Sequence, residues 1–238
     1  MRYAVLSDIH SNLEALEKAV SFAEAQKVDA WIVLGDTVGY GANPNECFEW
    51  ATKTALVHVV GNHEKAVVDK ELLEWFNDDP RKAIDWTAEV MKEELKTIVS
   101  TLPYVRVEKG FTCVHSSLDE PEKFHYLMNF HEAIHTFVKM ENSICFIGHT
   151  HISSYFCAED RTAKYLKSGV INLEEGKRYI LNPGSVGQPR DRDTRLSFAI
   201  FDDDQRTFEI IRLAYDNKKA AEKIRSAGLP RYFADRLL

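Results

Sequence analysis

Nothing in this sequence has the makings of a membrane anchor or a disulfide scaffold. No stretch approaches the roughly 18 unbroken apolar residues that a membrane-spanning helix requires, and mean hydropathy is -0.32. The four cysteines, Cys47, Cys113, Cys145 and Cys157, show no CxxC spacing, and three of them sit inside apolar, strand-like runs where a free thiol behaves as a small hydrophobe. A reducing compartment suits them. The N-terminus, MRYAVLSD, reads straight into a strand without the basic-then-apolar run or cleavage site of a signal peptide, so a cytoplasmic protein is expected. Internal repeats, low-complexity tracts and Gly/Ser- or Pro-rich linkers are also lacking. Residues 1–238 are therefore expected to form one domain.

What is present excludes whole-chain disorder: 45% hydrophobic and 11% aromatic residues supply a sizeable core. The formal net charge of -7 argues against nucleic acid as a partner, although carboxylates gathered to hold cations would make a chain acidic for a different reason. The first sixty residues alternate strand and helix. A strand over 2–7 is followed by a helix over 12–27, opened by Ser11 with Glu14 three positions on as a capping box. WIVLG at 31–35 is a buried strand, Asn43-Pro44 starts a short helix, and 56–60 is a third strand; such βαβαβ order implies parallel pairing.

Between 64 and 101, apolar residues recur at helical spacing among many charges, which predicts two or three helices forming a cap with Trp75, Phe76 and Trp86 in its core. Beyond it, strands are predicted at 104–108, 111–115, 143–148, 153–158, 163–167, 178–181, 195–202 and 206–213, with helices near 129–140 and 216–227. A parallel half followed by an antiparallel-rich half suits two packed sheets flanked by helices.

Five places show one event: an apolar strand runs out and a potential metal ligand follows. They are Asp8-Ile9-His10, Asp36, Asn62-His63-Glu64, His115 and His149-Thr150-His151. Sites in open α/β sheets form beyond the carboxyl ends of strands, so these residues would converge. Gly35, Gly61 and Gly148 stand where backbone must turn tightly beside a ligand. Any one histidine alone is more often without a metal, and His58, His125, His131 and His135 are read that way. The ordered set is much harder to produce by accident.

In order, DxH at 8–10, GD at 35–36, GNHE at 61–64, His115 and GHTH at 148–151 resemble the calcineurin-like metallophosphoesterases. GDTVGYGANP at 35–44, NPGSVGQPRD at 182–191 and the end from Tyr215-Asp216 resemble the small bacterial and archaeal branch. The resemblance implies a four-layer α/β/β/α sandwich of mixed α/β class with a helical cap insertion. It also implies two divalent transition-metal ions, Mn, Fe, Zn, Co or Ni with Mn or Fe favoured. Asp8, His10, Asp36 and His151 would hold one and Asp36, Asn62, His115 and His149 the other, with Asp36 bridging. A hydroxide activated between the ions would attack phosphorus in line, and His63, not itself a ligand, would orient the phosphate and protonate the leaving oxygen. Glu64 is expected outside the ligand set, bonded to a ligand imidazole. Position 39 is Gly where the phosphoprotein phosphatase branch carries Asp, which weakens any transfer of that branch's substrate preference.

The implied activity is hydrolysis of a phosphodiester, phosphomonoester or phosphoanhydride on a small ester or nucleotide. Dinucleoside polyphosphate (Ap4A-type) hydrolysis, protein phosphatase action and a non-catalytic scaffold of the same fold are the alternatives. Tyr40 and Arg190 are candidate substrate contacts along with Arg192, although an exposed arginine pair is more often merely solvated. His131-Glu132-Ala133-Ile134-His135 matches HExxH, but the downstream Gly and third His of the zincins are absent, and the match is read as coincidence. Ser185 is preceded by Pro183 where a nucleophile elbow needs Gly, and its loop is expected to approach the metal site.

Overall fold

The computed structural model describes residues 1–238 as two six-stranded sheets packed face to face between helices. The strands are β1 (Arg2–Leu6), β2 (Ala30–Val33), β3 (Val57–His58), β4 (Val105–Glu108), β5 (Phe111–Val114), β6 (Ile144–Phe146), β7 (Ser154–Cys157), β8 (Thr162–Tyr165), β9 (Gly169–Asn172), β10 (Tyr179–Asn182), β11 (Leu196–Asp202) and β12 (Thr207–Leu213). The helices are α1 (Leu13–Ala25), α2 (Pro44–Thr54), α3 (Asn62–Val68), α4 (Asp78–Val90), α5 (Glu93–Val99), α6 (Phe130–Lys139), α7 (Asn217–Ser226) and α8 (Arg231–Asp235). One sheet runs β3-β2-β1-β11-β12-β9 and the other β4-β5-β6-β10-β7-β8. β1, β2 and β3 pair in parallel, as do β5, β6 and β10, while the remaining pairs are antiparallel.

The period of two along each strand decides the layering. On β1, Tyr3 and Val5, with Phe201 of the neighbouring β11, face the opposite sheet, where Phe111, Phe146 and Leu181 close the central core. Ala4 and Leu6, pointing the other way, meet Ala15, Leu16, Ala19 and Ala23 of α1. On the outer face of the second sheet, Val114, Cys145 and Ile180 pack on Ala133 and Phe137 of α6. The result is the α/β/β/α sandwich.

Several local expectations shift. Ser11 does not cap α1: it takes a left-handed φ of 55°, and Asn12 Oδ1 accepts the Ala15 N–H instead. Glu14, freed from capping, is a buried carboxylate paired with Lys219 Nζ at 3.2 Å and Lys223 Nζ at 2.6 Å, tying α7 to α1. The third strand shortens to Val57–His58 because the chain turns away as it enters the site. β9 lies outside the predicted strands: four residues opening on Gly169 carry little strand signal, and only pairing with β12 defines them.

The 62–99 stretch contains three helices and a 3-10 turn at Lys70–Trp75, with a core of Val38, Phe48, Ala66, Ile84, Met91 and Leu95. Trp75 is not in that core. It is 68% exposed, while Trp86 packs beside α7 and α8, against Ala220, Ile224 and Phe233. No helix is long and apolar enough to cross a membrane.

Candidate metal centre and active site

The carboxyl ends of β1, β2, β3, β5 and β6 meet at one edge of the sandwich, and there the backbone leaves its usual conformations. Asp8 (φ 53°), His10 (48°), Asp36 (51°), Tyr40 (60°), His149 (66°) and His151 (60°) all lie in the left-handed region. That conformation costs a non-glycine residue roughly 1 kcal/mol or more, so its concentration at these residues marks a site whose geometry is imposed by its surroundings. Close approach explains two of the glycines. A β-carbon at Gly61 would lie 2.2 Å from Asp36 Oδ1, and one at Gly148 would lie 1.8 Å from Ser7 Oγ.

Two groups of buried donors form, one of Asp8, His10, Asp36 and His151, the other of Asp36, His115 and His149, with donor atoms within 4.8 Å of one another in each. Asn62 joins the second, its Oδ1 3.2 Å from His115 Nε2. Three imidazoles are oriented by main-chain carbonyls: Nδ1 donates to Val38 O from His10 (3.0 Å), to Leu34 O from His115 (2.6 Å) and to Gln188 O from His151 (2.6 Å). A carbonyl can only accept, so each ring presents Nε2 to the centre.

The donor set fits cations. With both Nδ1 atoms protonated, His10 Nε2 and His151 Nε2 bring lone pairs to 3.0 Å of each other, and Asp8 Oδ1, buried without a hydrogen bond, lies 3.2 Å from His151 Nε2. His149 Nε2 is likewise buried and unpartnered. Acceptors crowded together away from water are costly unless a cation sits among them. The ionisation of the groups agrees. Burial lowers His149 to about 3. His115 is also opposed by burial, but the Asp36 carboxylate outweighs it and raises the ring to about 9. That proton on His115, 3.3 Å from Asp36 Oδ2, stands where a metal charge would stand. Burial pushes Asp8 upward too, yet the neighbouring imidazoles of His151 and His115 leave it well below the usual carboxylate range.

Asp36 divides its oxygens between two tasks. Oδ1 accepts the His63 N–H at 2.9 Å, leaving Oδ2 to face both donor groups, 3.7 Å from His10 Nε2 and 3.3 Å from His115 Nε2. Glu64 departs from expectation: its carboxylate bonds no imidazole. Oε2 accepts the N–H groups of Asp36 (2.8 Å) and Gly61 (3.0 Å), and Oε1 those of Thr37 and Val38 (3.2 Å). It thus clamps the loop carrying Asp36 to the start of α3, a role that no local pattern announces.

His63 is buried beside His10 (ring centroids 4.6 Å), Tyr40 (4.4 Å) and Phe76 (5.3 Å), and burial lowers it to about 4. A β-carbon at Gly39 would lie 2.2 Å from its Nδ1, so the Asp found at this position in phosphoprotein phosphatases has no room here. Tyr40 stacks on Phe233 of α8 at 4.4 Å, and its hydroxyl lies 3.4 Å from Arg190 Nη2. Arg190 is half-buried on the cavity wall, whereas Arg192 is exposed and away from it. The Arg190 loop is held by Asp191 pairing with Arg212 and by the Arg190 N–H bonded to His151 O at 3.2 Å. Ser185 Oγ donates to Asp8 O at 2.8 Å and accepts from Gln188 N at 2.8 Å, so its loop does approach the centre.

The HExxH stretch contributes nothing here. His131 and His135 are exposed on α6, and Glu132 accepts the Met128 N–H at 2.6 Å while its own N–H bonds Asn129 Oδ1, which makes it part of a helix cap.

This chain belongs to the calcineurin-like phosphoesterase superfamily, whose sequence profile matches residues 1–206. It is 40% identical over 239 residues to an uncharacterized protein of Methanocaldococcus jannaschii, a match covering 98% of this chain and 96% of that protein. The solved metallophosphoesterase of Sphaerobacter thermophilus has a TM-score of 0.90 at 35% identity and covers 100% of this chain and 98% of its own. A hypothetical protein of Pyrococcus horikoshii shares the fold with a TM-score of 0.80 at 20% identity, covering 99% of this chain and 97% of its own. The protein is therefore a hydrolase acting on phosphate esters, from a metal-dependent family.

Proposed function

We propose that the enzyme cleaves a phosphodiester, phosphomonoester or phosphoanhydride at a centre of two divalent transition-metal ions. Asp8, His10, Asp36 and His151 would hold one ion, and Asp36, Asn62, His115 and His149 the other. The observation that carries the reading is the single free oxygen of Asp36, Oδ2, facing both donor groups. Mixed imidazole and oxygen donors suit Mn, Fe, Zn, Co or Ni better than Mg or Ca. When bound, such ions supply Lewis acidity toward phosphoryl oxygens and lower the pKa of the attacking water.

The chain's own residues do the rest. Arg190, steadied by the Tyr40 hydroxyl, offers N–H donors to the non-bridging phosphate oxygens. His63 is neutral in the free protein because of its burial, and an arriving phosphate anion opposes that effect, raising the imidazole toward protonation where it can serve the leaving oxygen. Phe233 and Phe76 pack the Tyr40 and His63 rings and limit water around that proton.

Metal analysis of the purified protein is expected to find close to two ions per chain. Chelation is expected to abolish hydrolysis of bis(p-nitrophenyl) phosphate, and added Mn to restore it. Asp36→Asn should lower occupancy of both positions, whereas His63→Ala should leave the ions bound. Full activity in excess chelator, or loss of an ion in His63→Ala, refutes the assignment.

A further inference from the structure

Four large aromatic side chains of this protein are substantially exposed: Trp75 (68%), Tyr126 (49%), Tyr165 (58%) and Tyr232 (52%). Three of them, Trp75, Tyr126 and Tyr232, line one cavity of about 1120 Å³ that has Asp36, Asn62, His63, His149 and His151 in its wall. They come from three unconnected parts of the chain: the 3-10 turn of the cap, the loop before α6, and α8. Single exposed aromatics are ordinary, but rings brought from separate elements to one concavity, unstacked on their solvent side, form a surface for another flat ring. Tyr126 already stacks on His149 at 4.0 Å and 29°, which places one platform directly beside the proposed metal position.

The charges along the same wall are ordered. Arg190, Lys123 and Arg236 all line the cavity, and the Arg236 guanidinium lies over the Tyr232 ring at 5.6 Å. Asp78 and Asp79, three and four residues beyond Trp75, put carboxylates on the Trp75 side. That side therefore disfavours a second phosphate and accepts a neutral ring. The volume also exceeds what a single phosphoryl group needs, since pockets of roughly 300–1,000 Å³ hold whole drug-sized ligands.

From this arrangement we infer that the substrate is a nucleoside phosphoester. Its phosphate reaches the His/Asp centre, and its base is received among Trp75, Tyr126 and Tyr232, with Arg236 as a specificity-determining neighbour. The inference rests on the phosphoesterase reading of the same site. Tyr232 and Arg236 lie beyond residues 1–206, the part matched by the superfamily profile, whereas Trp75 and Tyr126 lie within it.

The test uses two diesters with the same reacting bond and the same leaving group, the p-nitrophenyl ester of thymidine 5′-phosphate and methyl p-nitrophenyl phosphate, on the Mn-loaded full chain. The nucleoside ester should have the higher kcat/KM by about tenfold to hundredfold, the range expected for one base–aromatic stack. Trp75→Ala and Tyr232→Ala should each reduce that ratio severalfold, chiefly through KM, whereas Leu56→Ala, an exposed apolar residue away from the cavity, should leave the ratio where it is. Equal kcat/KM for the two esters in the wild type, or a ratio untouched by both aromatic substitutions, overturns the inference. Should neither ester be hydrolysed, the phosphoesterase reading fails on its own, and the subsite is read by titrating tryptophan fluorescence with thymidine 5′-monophosphate against inorganic phosphate. Quenching by the nucleotide alone, lost in Trp75→Ala, supports the subsite; identical responses to the two ligands overturn it.

Discussion

Replacing Glu64 with Gln removes one charge and almost no volume, yet the structure predicts a large effect. The Glu64 carboxylate accepts four backbone N–H groups, two at each oxygen: Asp36 and Gly61 at Oε2, Thr37 and Val38 at Oε1. A glutamine offers one acceptor oxygen and one NH2 group, so in either orientation two of these buried N–H groups lose their partner. A hydrogen bond to a charged acceptor contributes about 1.5–3 kcal/mol, and a buried unpaired donor is costly. Part of that loss is offset: burial, with the Asp36 charge adding to it, pushes Glu64 up to about 7, and an uncharged side chain escapes this penalty.

The net destabilisation should be about 2–4 kcal/mol, measured by urea unfolding of the chelated protein at pH 8. Because the same bonds hold Asp36 in its left-handed conformation, metal affinity should fall about tenfold or more, read by competition with a chromophoric chelator. If Glu64→Gln unfolds within about 0.5 kcal/mol of wild type and keeps its metal affinity, the clamp has no energetic content and the reasoning is wrong.

His63→Ala should slow hydrolysis of alkyl or nucleoside esters by about 10²-fold or more and nitrophenyl esters less, because only the poorer leaving groups need a proton. Parallel plots of log kcat/KM against leaving-group pKa for mutant and wild type would mean that His63 merely positions the phosphate. Gly61→Ala has no forbidden φ to contend with, but its methyl would press on Asp36 Oδ1 at 2.2 Å; weakened metal binding in a folded protein is expected, and wild-type affinity would contradict the packing. His58 sits outside the ligand set with a buried, unpartnered Nδ1, and burial lowers it from 6.5 to about 4. Its folded pKa is depressed, so the stability tied to the neutral ring is present above pH 6.5 and lost as pH falls toward 4. The difference between 6.5 and about 4 sets a ceiling of about 3 kcal/mol, and the ring's residual accessibility brings the expectation to about 2 kcal/mol. Urea unfolding of His58→Gln across that range should show a correspondingly flatter pH profile, and an unchanged slope would show that the ring titrates normally.

The order of the chemistry along the chain is legible in the residues alone. Apolar runs of period two or unbroken β-branched content announce the strands, and Asp8, Asp36, Asn62, His115 and His149 each follow such a run within a residue or two. A strand end is a local property, legible from neighbours, and the parallel βα order places those ends together. What each donor does once there depends on packing between segments far apart in the chain. Asp36 turned out to reserve Oδ1 for the His63 N–H, Glu64 to bind four amides of two loops, Trp75 to face the cavity rather than the cap core, and α8 to lend Phe233 and Tyr232 to a site over 190 residues away in sequence from Asp8 and Asp36. None of these contacts leaves a periodicity. A carboxylate's partners, and the face an aromatic ring presents to water, depend on which segments pack across it, and a left-handed residue such as His151 is held there by hydrogen bonds from loops that the local sequence does not contain.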